Sequence, residues 1–247
     1  MDQEQQLQML IRKVLLVCGI LSSLLYIGTD ILGGMLWEGY SLTTQTISAL
    51  DAIGSPTRIL VAPLFFIYDV LLIAFGLGAW GSARRNRYLR ITAGLLTGIT
   101  VVSLMSSLFP MYLGEPIISL ANAMHSFLYG VIEFLILLSM GFGAIAYRNW
   151  FRYYSIGTIL IFILSGVLGL GSVVSECLTV VLGLGSAASE NLTSWLGIFE
   201  RINVYGYLLW VAVLAIILLR AEKWPGSQSQ SSANEISIQD DTPIRVT

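Results

Sequence analysis

Charge is scarce in this chain: of 247 residues only 11% are Asp, Glu, Lys or Arg, whereas 55% are hydrophobic. So few charges cannot solvate a globule of this size, and a mean hydropathy of +0.78 points to an integral membrane protein with the lipid bilayer as its first partner. The net charge of -2, with no large Lys/Arg-rich patch, gives no footprint for nucleic acid. Histidine is nearly absent. One residue, His125, cannot supply the paired ligands of a membrane haem or the histidines of a catalytic zinc, so no metal and no cofactor is expected. Cys18 is expected near the inner end of the first span and Cys177 outside the membrane, too far apart to form a disulfide.

What the chain does have is six apolar runs, from about Val14 to Gly34, Leu60 to Trp80, Ile91 to Phe109, Ile117 to Tyr147, Ser155 to Val174 and Trp195 to Leu219. The expected fold is all-α, an integral membrane bundle of six transmembrane helices over 14–220, with a cytoplasmic segment 1–13 and a disordered cytoplasmic tail 221–247. The first run follows Arg12-Lys13 as a secretory signal would. It lacks a small-x-small cleavage site and holds Asp30, so it reads as an uncleaved helix. Eleven of the thirteen Lys and Arg fall on one side of six spans, leaving Arg58 and Arg201 opposite, and this places both termini in the cytoplasm of a plasma-membrane protein. Trp37, Trp80, Trp150, Trp195 and Trp224 sit near the span limits as an interfacial belt. The stretch from Cys177 to Ala188 is apolar but too short to cross alone. It reads as interfacial in preference to a continuation of span five. Asn191 begins a glycosylation sequon that matters only in a eukaryotic secretory pathway. An inverted repeat of three spans plus three finds no residues that align, since Asp69 has no counterpart in span five.

The chain is organised around the polar stretch from Tyr40 to Arg58, which interrupts the first two runs with seven Ser or Thr and only two charges, Asp51 and Arg58. Helical spacing of its apolar positions predicts a short amphipathic helix in the first outer loop, lying at the membrane surface. Ser55-Pro56 has the form of an N-cap followed by proline at the first helical position of span two. Asp51 in the last turn of the short helix requires a cationic partner, and Arg201 is the first choice as partner of Asp51 or Asp30.

An ionised carboxylate at mid-bilayer costs about 2.5 to 3.5 kcal/mol on insertion scales, so each one needs a compensating interaction. Asp30, Asp69, His125 and Glu133 are the membrane-depth candidates. Helical spacing puts Asn122, Ser126, Tyr129 and Glu133 on one stripe with His125 at its edge, and Glu200, Asn203 and Tyr207 on another. Ser23, Tyr26, Asp30 and Gly34 share a third face, and Thr100, Ser103 and Ser107 a fourth. Such stripes imply a polar interior formed by spans one, two, four and six, opening outward and lidded by the Tyr40 to Arg58 stretch. The candidates for a ligand or ion pathway are Asp30, Asp69, His125, Tyr129, Glu133, Glu200 and Arg201. A small polar ligand, a lipid headgroup or a proton is the implied cargo. A second reading, a lipid hydrolase or transferase at the outer face, uses His125 with Ser48 or Asp51, although no G-x-S-x-G context surrounds Ser48. In a third the stripes only hold helices together, as most Ser, Thr and Gly positions do, Gly94-Leu-Leu-Thr-Gly98 among them.

Tyr40-Ser41, Gln45-Thr46-Ile47-Ser48-Ala49-Leu50, Gly54-Ser55-Pro56, Phe109-Pro110 and His125 together resemble the prokaryotic multi-pass family called domain of unknown function 998. The similarity runs from about Val14 to Leu219. It implies a six-helix membrane fold without an established activity. Met111 stands where members often carry an acid after Phe-Pro, so a role for that acid does not transfer.

Overall fold

A computed structural model describes residues 3–115, 119–147, 150–182 and 195–222. These form helices α1 (Gln3–Leu36), α2 (Arg58–Ser82), α3 (Arg87–Ser106), α4 (Leu120–Ala146), α5 (Trp150–Leu182) and α6 (Leu196–Ala221). All six are long and apolar enough to cross a membrane, as expected of a multi-pass membrane protein. Helices are the physical solution here because a spanning backbone must satisfy its own hydrogen bonds where no water can. Among the described residues the only bridge of β type is an isolated parallel one between Ile53 and Tyr112.

Each helix packs on its neighbours in sequence, and α1 packs on α6, so the six close into a ring with α2 also reaching α6 across the middle. Small residues set the closest approaches. A Cβ on Gly78 would run into the Leu15 backbone of α1, and one on Gly143 would run into the indole of Trp210. Local sequence sets the helix starts. The Asn86 side chain accepts the Leu89 N–H at 3.1 Å to cap α3 and donates to the Ala146 carbonyl at the end of α4. Ser119 caps α4 by accepting from Asn122 N–H. At the end of the bundle that carries the α1 N-terminus, Arg12 pairs with Glu222 at 3.0 Å and Ser82 donates to the same carboxylate.

Several boundaries differ from the sequence expectation. α1 runs through residues 3–13 without a break, and α5 continues to Leu182, so the first part of the Cys177 to Ala188 stretch prolongs span five instead of turning onto the interface. The rest of that stretch, Asn191, Trp224 and the tail from 223 onward lie outside the described residues. The polar stretch after α1 holds one 3-10 turn, Ile47–Asp51, not an amphipathic α-helix. Its Ile47 and Leu50, three apart, eclipse one another in a 3-10 turn and both point into the bundle, where they are fully buried with Val61. The segment is therefore inserted among the helix ends rather than laid on a surface. α2 begins at Arg58, not at Pro56. The Ser55 hydroxyl accepts from Thr57 N–H and donates to the Leu50 carbonyl, which makes Ser55-Pro56 the turn ahead of the helix.

Candidate functional site

The polar stretch is fastened by one arginine. Arg201, buried in the first turns of α6, grips Asp30 of α1 in a two-pronged ion pair, Nε to Oδ2 at 3.0 Å and Nη2 to Oδ1 at 2.9 Å. Its remaining N–H groups go to the carbonyls of Leu42, Gln45 and Gly197 and to the Tyr40 hydroxyl. Tyr205 donates to Asp30 at 2.5 Å, so both members of the pair are fully engaged. Burial holds the Tyr40 phenol up at about 12 despite the hydrogen bond from Arg201, so it stays protonated and donates to the Thr46 carbonyl at 2.8 Å. Gly197 matters because Leu42, Thr43 and Gln45 present their carbonyls directly against its Cα, where a Cβ has no room. The Thr43 carbonyl in return accepts the Gly197 N–H at 2.9 Å, one of the otherwise unpaired donors at a helix start.

Beyond this fastening, the ring lines a partly open cavity of about 270 Å³. Asp69, Glu133 and Glu200 line it with Tyr129 and His125, as the stripes predict. Asp30 and Arg201, expected on the same pathway, are absent from its walls and spend their charges on each other. Contributions come from all six helices. α3 supplies Ser103 and Ser106, and α5 supplies Phe162, neither helix being among the four expected. Ser126, placed on the inward stripe of α4, is exposed, and His125 takes the inward place instead. Asn122 of that stripe clamps the 107–115 loop, accepting from Tyr112 N–H at 2.8 Å and donating to the Tyr112 and Glu115 carbonyls.

Asp69 accepts from Ser103 at 3.1 Å through Oδ2. Its Oδ1 is buried and has no hydrogen-bond partner among the described residues, and the same holds for Asn203 Oδ1, the Tyr207 hydroxyl and His125 Nε2. Glu133 accepts from Asn203 Nδ2 at 3.4 Å. Glu200 accepts the Ile47 N–H at 2.6 Å, tying the 3-10 turn to α6, and the Tyr129 hydroxyl lies beside it.

At the mouth stand Ser48, Asp51, Arg58, Ser106 and His125. The three residue types of a hydrolytic triad share the cavity, but not as a triad. Ser48 donates to Thr46 Oγ1 at 3.1 Å, while His125 Nδ1 lies 3.4 Å from Ser106 Oγ and 3.2 Å from the Phe109 carbonyl. A carbonyl only accepts, so this contact fixes the proton on Nδ1 and leaves Nε2 as the free lone pair. Nδ1 then cannot take a proton from Ser106.

Asp51 finds its cation in Arg58 rather than Arg201. The Arg58 guanidinium donates to the Asp51 backbone carbonyl, and its charge acts on the carboxyl through space. Burial nonetheless pushes the Asp51 carboxyl from 3.8 up to about 6, against the pull of Arg58. A carboxyl with a raised folded value binds more protons folded than unfolded. Its stabilising contribution is complete below about pH 4 and is lost as pH rises through about 6. Asp51→Asn is therefore expected to gain stability relative to the native chain at pH 7 to 8 and to lose that advantage near pH 4, read as melting temperatures of the two proteins across this range.

The profile of a family described as a protein of unknown function (DUF998) matches residues 20–217. The chain belongs to the DUF998 family. That match covers the cavity, the arginine fastening and the 3-10 turn together. The motif residues behind the resemblance acquire physical roles within it: Tyr40 and Gln45 as partners of Arg201, Ile47 as donor to Glu200, Phe109 as the acceptor that sets the His125 tautomer. Neither a curated protein nor a solved structure matches the chain. The residues that sequence reasoning missed in this DUF998 chain are Ser106, Phe109 as a carbonyl, and Phe65, Tyr68 and Phe162 of an aromatic wall that also holds the expected Tyr26, Tyr129 and Tyr207. In that wall Tyr26 stacks on Phe65 at 4.7 Å and meets Tyr68 edge-on at 4.8 Å.

Proposed function

We propose that this protein binds a small polar solute, a lipid headgroup or a proton in the cavity and passes it to or across the membrane. The observation that carries this reading is the convergence of Asp69, Glu133, Glu200 and His125 on one partly open cavity, several of whose lining residues hold a buried polar atom with no partner among the described residues. Groups that only held helices together would be satisfied by those helices, because an unpaired buried acceptor costs about 1 to 3 kcal/mol or more. In this reading the protein sits in the plasma membrane with both termini in the cytoplasm, since the positive-inside rule sets Arg12, Lys13, Arg84, Arg85, Arg87 and Arg90 on that side. The mouth formed by Ser48, Asp51 and His125 then faces outward.

Purified protein in liposomes tests the transport form. Proton or solute flux above protein-free vesicles is expected to fall tenfold or more in Asp69→Asn and Glu133→Gln, and flux indifferent to both substitutions would rule this form out.

The hydrolase reading has one observation in its favour, the Ser106 and His125 contact at the mouth. The Nδ1 proton directed at Phe109 works against it. A fluorophosphonate reagent is accordingly expected to leave Ser48 and Ser106 unlabelled by mass spectrometry, and covalent adduct on either serine would reinstate catalysis.

A further inference from the structure

Within the cavity, and resting on the binding reading above, we infer that the ligand is a primary ammonium compound, R–NH3+, whose charged end is held between α2 and α6. Three side chains carry this. Asp69, Asn203 and Tyr207 all line the cavity, are each more than nine-tenths buried, at 3%, 3% and 2% exposure, and each has a buried polar atom without a hydrogen-bond partner among the described residues. All three atoms can accept: a carboxylate oxygen, an amide oxygen and a phenol oxygen. The orientation of the Asn203 amide follows from its neighbour. Glu133 offers a carboxylate oxygen, so the amide NH2 faces it and the amide oxygen is left as the unpartnered acceptor.

Asn203 and Tyr207 are four apart on α6, one turn of one face, and Tyr207 lies within the electrostatic reach of Asp69 across from it. A primary ammonium has three N–H donors, one for each of these acceptors. Asp69 supplies the charge. Glu133, behind Asn203, adds a second acid in the same cavity, whereas Arg58, the one Lys or Arg among the described lining residues, belongs to the mouth.

Two further features separate an organic ammonium from a bare inorganic cation. Among the described residues no three His, Cys, Asp or Glu side chains form a group able to hold a metal ion. The walls, in contrast, are rings, with Tyr26, Phe65, Tyr68, Tyr129, Phe162 and Tyr207 around the acids. Aromatic faces attract a cation and accept the methylene groups next to it, while a hydrated metal ion gains nothing from the latter. A cation that enters with its own apolar flank offsets the cost of burying the Asp69 carboxylate without requiring water to follow.

A free solute and a lipid headgroup can each carry this amine, and one set of titrations separates them. Full-length protein in a neutral detergent is titrated by calorimetry with ethanolamine, with tetramethylammonium and with ethylene glycol, and again in micelles doped with phosphatidylethanolamine or with phosphatidylglycerol. Ethanolamine is expected to bind saturably and at least tenfold more tightly than ethylene glycol, its near-isosteric neutral counterpart. It should also exceed tetramethylammonium, which has the charge but no N–H. Asp69→Asn should weaken ethanolamine tenfold or more, and Glu133→Gln several-fold. Competition by phosphatidylethanolamine alone supports a headgroup source, and its absence supports a free amine. Equal binding of ethylene glycol or tetramethylammonium overturns the ammonium assignment and leaves the cavity reading standing. If no probe binds and liposome flux ignores both acids, both fall. The selectivity series uses the native chain, so a variant that fails to fold leaves the test intact.

Discussion

Arg201→Met is expected to destabilise the fold by about 3 to 5 kcal/mol, the range found when one partner of a buried ion pair is removed. The substitution keeps the length and the apolar stem but leaves the Asp30 carboxylate, 0% exposed, with only the Tyr205 hydroxyl for company. It also strips a donor from the carbonyls of Leu42, Gln45 and Gly197, so the polar stretch loses its anchor together with its charge balance. The double variant Asp30→Leu with Arg201→Met should recover part of the loss, because the stranded charge goes while the orphaned carbonyls stay. Reversible unfolding in mixed micelles, with both single variants and the double, gives the coupling directly. A double variant no better than the worse single would mean that the pair contributes through something other than charge compensation.

Trp210→Ala should be the second large effect, at about 3 kcal/mol. The indole is 0% exposed and joins three helices: it fills the recess over Gly143 of α4, lies 5.9 Å from the Phe151 ring of α5 and donates to Ser155 of α5 at 2.9 Å. In a membrane the separated helices still keep an indole in lipid, so the transfer contribution is smaller than in water. What remains is lost dispersion contact around a void that the ring of helices cannot collapse to fill. The effect therefore belongs at the low end of the range for large-to-small changes in soluble cores. Trp210→Phe should lose less, retaining most contacts but not the hydrogen bond to Ser155. The same micelle unfolding assay separates the two, and equal losses would place the energy in the hydrogen bond rather than the packing.

The fold was legible because one strong signal decides it. Long apolar runs with few charges have a single outcome in lipid, and their limits came within a few residues at α3, α4 and α6. The boundaries that moved were those where apolar character and helical structure part company: residues 3–13 are polar yet helical, and Ile47–Asp51 has helical spacing yet too few residues for an α-helix. Periodicity also placed Glu200, Asn203 and Tyr207 correctly on one inward face of α6. It could not say which buried charge is compensated by protein. Asp30 and Asp69 look alike in sequence, each an acid in an apolar helix. The sequence offers Arg201 to either Asp30 or Asp51, and the fold gives it to Asp30, 171 positions away, while Asp69 meets one serine hydroxyl. Phe65, Tyr68 and Phe162 of the aromatic wall were illegible for a related reason, since a ring outside a polar stripe has the same pattern in a membrane helix whether it faces lipid or a neighbour.

The bridge at Ile53 joins the two segments that roof the cavity. Ile53 N–H donates to the Met111 carbonyl at 2.7 Å, and the Ile53 carbonyl accepts from Leu113 N–H at 3.0 Å. Stitched at that point, the segments behave as one plate moored at two edges, to α6 by Arg201 and to α4 by Asn122. A plate so moored cannot swing like a door. An opening at this end would have to carry the near ends of α4 and α6 with the roof, the helix that bears Glu133 together with the helix that bears Asn203.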